Sequence, residues 1–254
     1  MASTPRGYTQ FPSQEELFYF CTTSSTSEED LNLHYTPPSQ SSLKIGVLIF
    51  GPDQVQLLDL AVVDLLAMVS RNRISKLHAP ETVLDEAVDE LDIRYVSETG
   101  EGSFPITSGA RMPVTNSFAN APQFNVLIIP GSFSPRSLSP TATTFLTTQS
   151  AHATLTAILA VSSGILHLAP SDLLHRVRAT APACLLPALQ HSHPDTAWQA
   201  APWTRDDKLW SSSSGLAGLD MAAAWLREYF WDRGAAVECA LRAAGAPRLD
   251  GYGE

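Results

Sequence analysis

Residues 157–174 read AILAVSSGILHLAPSDLL. The first five, Ala157 to Val161, form a short continuous apolar run of the kind found in a strand buried on both faces of a parallel sheet. Ser162-Ser163-Gly164 follows at once, and from Ile165 to Leu174 the apolar residues return at helical spacing. The segment predicts a strand, a tight turn and a helix, which is the repeating step of a doubly wound α/β sheet.

The same alternation extends in both directions. Leu43 to Phe50, LKIGVLIF, is a second fully apolar run and the expected first strand. After GPDQ, Leu57, Leu60, Ala61, Asp64, Leu65 and Met68 fall on helical spacing, so a helix is expected over 55–69. Asn125 to Ile129 predicts another buried strand that ends in the turn PGSFSP, and Ile93 to Ser97 and Ile106 predict shorter pieces around Gly100 and Gly102. Further on, short strands are expected near Ala179 and Trp198 and over 208–212, with a helix from about Asp220 to Trp231. These alternations give one mostly parallel sheet with helices on both faces.

The chain has 254 residues, 44% hydrophobic and 17% charged, enough for one sizeable core. Residues 1–42 are rich in Ser, Thr, Pro and acidic side chains, which predicts a flexible arm with a helical turn around Glu15 to Phe20. The domain is expected over 43–235 and a C-terminal extension over 236–254. A net charge of −10 with only 16 Lys and Arg argues against nucleic acid as a partner, since a phosphate-binding surface needs clustered cations. Cys21, Cys184 and Cys239 show no CxxC spacing, so neither a disulfide framework nor a zinc site is predicted. No apolar block is long enough to cross a bilayer, and the expected location is cytoplasmic.

Ligands of doubly wound sheets bind beyond the carboxyl ends of the strands, where a side chain on a sharp strand-to-helix turn is presented to them. Ser162 occupies such a turn, although Ser162 and Ser163 equally suit a helix cap. No histidine lies at a spacing that places it beside Ser162. Asp59, in QLLDLAVVD, is a carboxylate among apolar neighbours near a strand end, suited to general acid or base work or to a satisfied core position. Asp64 is expected on another face of that helix in a structural role. His191 and His193 are too weak a pattern for a metal, and Cys184 is a minor alternative nucleophile. Trp198, Trp203 and Trp210 fit an organic ligand or a packed core equally well. No phosphate-binding glycine motif is present, so no cofactor is implied.

Taken in order, KIGVLIF, VQLLDLAVVDLLAMVS, FNVLIIPG, ILAVSSGILHLAPSDLLHRVRAT and KLWSSSSGLAGLDMA resemble the ThiJ/PfpI family of the class I glutamine amidotransferase-like superfamily, and within it the isocyanide hydratase-like branch. The resemblance covers roughly 43–235 and implies a flavodoxin-like fold and a homodimer to which the first helix contributes. It places the family's nucleophilic cysteine at Ser162 and the adjacent threonine at Ser163. The family's Pro-Gly-Gly becomes Pro130-Gly131-Ser132, and its A-T-T-H gives way to Ala181 and Pro182 after the Ala-Thr pair, so the family's imidazole is missing there. Asp59 matches the acidic residue that handles protons in hydratase-like members.

Loss of the thiolate removes covalent isocyanide and glyoxalase chemistry. What the resemblance leaves is a small organic substrate handled by proton transfer, dehydration or ring closure, in the manner of a lyase or isomerase of specialised metabolism. Asp59 and Ser162 would be catalytic, with Gly131, Ser132, Ser163 and Gly164 around the oxyanion. The alternative is a non-catalytic homologue that binds a small molecule or a partner protein.

Overall fold

The apolar runs become the inner strands of the sheet because β-branched and aliphatic side chains fill both faces of a parallel ladder. The computed structural model describes residues 41–51, 54–132, 138–169 and 171–245; the helical turn expected at Glu15 to Phe20 and most of the N-terminal arm lie outside them. The strands are β1 (Ser42–Leu48), β2 (Glu90–Ser97), β3 (Ser103–Pro105), β4 (Arg111–Pro113), β5 (Asn116–Ser117) and β6 (Val126–Ile129). They continue with β7 (Ala157–Ala160), β8 (Arg178–Ala179), β9 (Ala197–Trp198), β10 (Trp203–Asp206) and β11 (Leu209–Ser212). Seven of them form the central sheet in the order β10-β11-β7-β6-β1-β2-β5. Only the β10–β11 pair in it is antiparallel.

The helices are α1 (Ala61–Ala67), α2 (Arg71–Ile74), α3 (Glu81–Glu86), α4 (Pro140–Ala151), α5 (Leu186–Ser192), α6 (Gly215–Tyr229) and α7 (Gly234–Ala243). Successive strand residues face opposite sides, and the core divides accordingly. Val126 and Ile128 of β6 join Ile45, Val62, Leu66, Met221 and Trp225 under α1 and α6. Leu127 and Ile129 join Phe124, Phe145, Leu146 and Ile165 on the side of α4. The flavodoxin-like α/β arrangement, mostly parallel with helices on both faces, is thus present.

Several local expectations change. The helix expected over 55–69 is a bridge at Val55, a 3-10 turn over Leu57–Leu60 and then α1. The helix expected from Ile165 to Leu174 is instead two 3-10 segments, Ser162–His167 and Asp172–Leu174; six residues bounded by a left-handed Ser162 and the sequence Ala169-Pro170 leave little room for a regular α-helix. α6 begins at Gly215, five residues before the expected start, because Ser214 caps it by accepting from the Ala217 N–H at 3.1 Å. Trp203 and Trp210 stack on each other at 5.7 Å and Trp210 is buried, so this pair is packing. The boundary expected at 235 falls inside α7, whose Val237, Ala240 and Leu241 belong to the same core as α6.

Candidate functional site

Four parallel strands, β1, β6, β7 and β11, deliver their carboxyl ends to one side of the sheet, the position at which doubly wound folds bind ligands. The chain after β1 is pinned to the chain after β6. Val55 bridges Ser132, and the Gln56 N–H donates to the Gly131 carbonyl at 2.9 Å. After β7 the backbone turns sharply at Ser162, whose φ is 53°. That left-handed conformation costs a non-glycine residue roughly 1–2 kcal/mol and is characteristic of functional turns. The N–H of Gly164 donates back to the Val161 carbonyl at 2.8 Å and closes the turn.

Asp59 sits in the 3-10 turn, with 1% of its surface exposed, while its neighbours Leu57 and Leu58 are 48% and 50% exposed. The turn thus inverts the usual preference and puts the acid inside. One carboxylate oxygen, Oδ2, accepts the Gly131 N–H at 2.8 Å. The other lies against Gly215 at the start of α6, where a Cβ would approach Oδ1 to 2.7 Å. At Gly131 a Cβ would stand 2.5 Å from Asp59 Oδ2 and 2.6 Å from Ser163 Oγ, so only glycine lets the acid and this hydroxyl converge on that backbone. Burial pushes the Asp59 carboxyl up to about 6, an effect partly offset by the Gly131 N–H.

The serines form a second layer. Ser163 Oγ donates to the Ser132 carbonyl at 3.0 Å and accepts from Gln56 Nε2 at 3.3 Å. The Ser162 N–H donates to Ser212 Oγ at 3.4 Å, and Ser212 Oγ donates to the Ser214 carbonyl at 3.1 Å. Ser132 Oγ lies 3.3 Å from Nε2 of His167, a buried imidazole that packs against Phe50 with ring centroids 4.7 Å apart.

Asp59 and Ser163 therefore both lie against the backbone of Gly131, Ser132 and Gly164 belong to the adjoining backbone, and Ser162 occupies the turn itself. Asp64 is elsewhere, at the surface 3.9 Å from Arg73, and Cys184 lies in the exposed turn before α5. Among the described residues no group of three or more His, Cys, Asp or Glu is placed to hold a metal ion, and no helix is long and apolar enough to cross a membrane. Sequence reasoning missed Gln56, Ser212 and His167. Only His167 carried a signal, as a lone imidazole within the apolar run ILHLA.

The model of the DJ-1/PfpI family matches residues 73–228, more than half of the chain, and the chain belongs to that family. Ser132 and Ser162 fall within the match, whereas Asp59 precedes it. Among solved structures, a mutant of a DJ-1 superfamily protein from Salmonella typhimurium is 16% identical with a TM-score of 0.61, covering 81% of this chain and 100% of that one. A ThiJ/PfpI family protein from Pseudomonas syringae is 18% identical with a TM-score of 0.60, covering 88% of each chain. An AraC family transcriptional regulator from Pseudomonas putida is 16% identical with a TM-score of 0.61, covering 79% of this chain and 98% of the other. At these identities the likeness is one of fold. No curated protein matches the chain by sequence.

Proposed function

We propose that this DJ-1/PfpI family member is a small-molecule enzyme of lyase or isomerase type, resembling the isocyanide hydratase-like branch but working without a covalent intermediate at Ser162. Asp59 moves the proton, Ser162 hydrogen-bonds the substrate's oxygen, and the backbone N–H groups of Ser132 and Ser163 stabilise developing negative charge in a frame held by Gly131 and Gly164. The observation that carries this is the buried Asp59 carboxyl, raised to about 6. A general base works best when its pKa lies near the operating pH, because it is then both available and basic enough. A buried carboxylate is also costly to retain without a use for its charge.

Proton exchange tests the proposal without the native substrate. The α-protons of small hydroxyketones and aldehydes in heavy water should exchange faster with the protein present, as followed by proton NMR. Asp59→Asn should lower that catalysed exchange by about a hundredfold or more. Equal exchange by both proteins would refute Asp59 as the proton carrier. Ser162→Cys should bring little isocyanide hydration, because Ser132 stands in the preceding loop and Pro182 where the family has more suitable residues. We further propose a homodimer, for which sedimentation should give a species well above the 27.4 kDa chain.

A second reading, ligand binding without turnover, draws on the AraC family regulator whose fold this chain shares. It predicts ligand affinity that changes in Asp59→Asn and no turnover in the unaltered protein.

A further inference from the structure

The hydroxyl of Ser132 has what a serine nucleophile needs, a neighbouring base. It is 5% exposed, comparable with Ser162 and Ser163, and its Oγ lies 3.3 Å from Nε2 of His167, itself 2% exposed. A serine becomes nucleophilic when an adjacent base takes its proton, and before substrate binds such pairs are often looser than their working distance. Both partners are fixed. Ser132 is held by its bridge to Val55 and by the Ser163 hydroxyl on its carbonyl. His167 is in the 3-10 segment after Ser162, with its ring against Phe50. Phe50 in turn lies 6.2 Å from Phe118, which stacks on Phe145 at 4.8 Å, so the imidazole adjoins an apolar aromatic wall.

We propose that Ser132 and His167 form a nucleophile–base pair that accepts acyl groups from activated esters with short apolar acyl chains, an activity independent of the proton transfer assigned to Asp59. In the first half-reaction Ser132 Oγ bonds to the ester carbonyl carbon while its proton passes to His167 Nε2. The bond to the leaving oxygen then breaks, and that oxygen takes the proton from the imidazolium. Water next attacks the acyl carbon and gives a proton to His167, which returns it to Ser132 Oγ as the carboxylic acid departs. No oxidant or metal enters the balance.

The probe is p-nitrophenyl butyrate, used with the full chain carrying Cys184→Ser so that this exposed thiol does not take the acyl group. Rapid mixing should release nitrophenolate in a burst approaching one equivalent, and peptide mass spectrometry should place the butyryl group on Ser132. Fast deacylation would instead give steady release that Ser132→Ala removes, which supports the pair equally. His167→Gln should slow acylation by about a hundredfold or more, the scale of a lost general base. The protein with His167 intact already decides the matter should that variant fold poorly. Release no faster than for the unfolded chain, or an acyl group found on Ser162, overturns the proposal. The first result leaves proton exchange by Asp59 untouched, whereas acylation of Ser162 would also count against a site that works without a covalent intermediate there, so the two proposals can fail separately.

Discussion

Ser162 and Ser132 follow neighbouring parallel strands, β7 and β6, yet their surroundings differ in kind. Ser162 has the left-handed backbone of a sharp turn, with its N–H directed at Ser212 Oγ. Ser132 lies outside the left-handed region and has a hydroxyl next to a buried imidazole. The first occupies the position that sequence resemblance marks for chemistry, and the second has the neighbour that serine chemistry requires. Position on a fold decides what a side chain can reach, while its partners decide what it can do.

The sharpest way to break that comparison is to ask whether position alone suffices. If it does, Ser162→Ala should damage α-proton exchange as severely as Asp59→Asn. We expect Asp59→Asn to lower the exchange rate by about a hundredfold or more and Ser162→Ala by about tenfold or less, since only the first removes the proposed proton carrier. Initial rates at pH 7.5, with circular dichroism to confirm the fold, give the ordering directly.

The next effect concerns stability, because a buried acid that serves chemistry should weaken the fold. The folded-state pKa of Asp59 is raised from 3.8 to about 6. Between those values the folded protein keeps a proton that the unfolded chain has released, so this group's contribution is intact below pH 3.8. It is lost as pH rises through 6, by up to about 3 kcal/mol. Asp59→Asn should remove this slope. Urea unfolding of the two proteins should give differences in stability that shift in favour of the variant by about 1–3 kcal/mol between pH 4 and pH 8. A difference that stays constant across this range would show that Asp59 titrates as an ordinary carboxylate.

The buried strands β1, β6 and β7 were legible in the sequence because four or more consecutive apolar residues leave few alternatives in an α/β chain. The helix α4 was not, although its signals were available. Ser139 caps it by accepting from the Ala142 N–H, Pro140 opens it, and Ala142, Phe145 and Leu146 face the core. Its many threonines obscured that stripe, since they suit strands at least as well. β10 escaped because its hairpin with β11 turns through Asp207 at φ 48° rather than through a glycine. At the site, Asp59 stood out as an acid in an apolar stretch, but the contact between Ser132 and His167 joins chain segments 35 residues apart. No sequence periodicity encodes that contact; it depends on how two strand ends align in the sheet.

The smallest effects return to the two serines, and here the sign carries the information. Ser162→Gly relieves a left-handed residue of about 1 kcal/mol of steric cost but gives the unfolded chain more freedom, so the net change should be a gain of under about 1 kcal/mol. Ser132→Gly has no such relief to offer. It adds the same unfolded-state freedom and removes the hydrogen bond to His167, so it should destabilise by about 1–2 kcal/mol. Thermal unfolding of both variants beside the parent protein would show Tm moving in opposite directions. Were both to fall equally, the backbone of Ser162 would not be paying a left-handed cost, and the contrast between a positioned serine and a partnered one would lose its structural half.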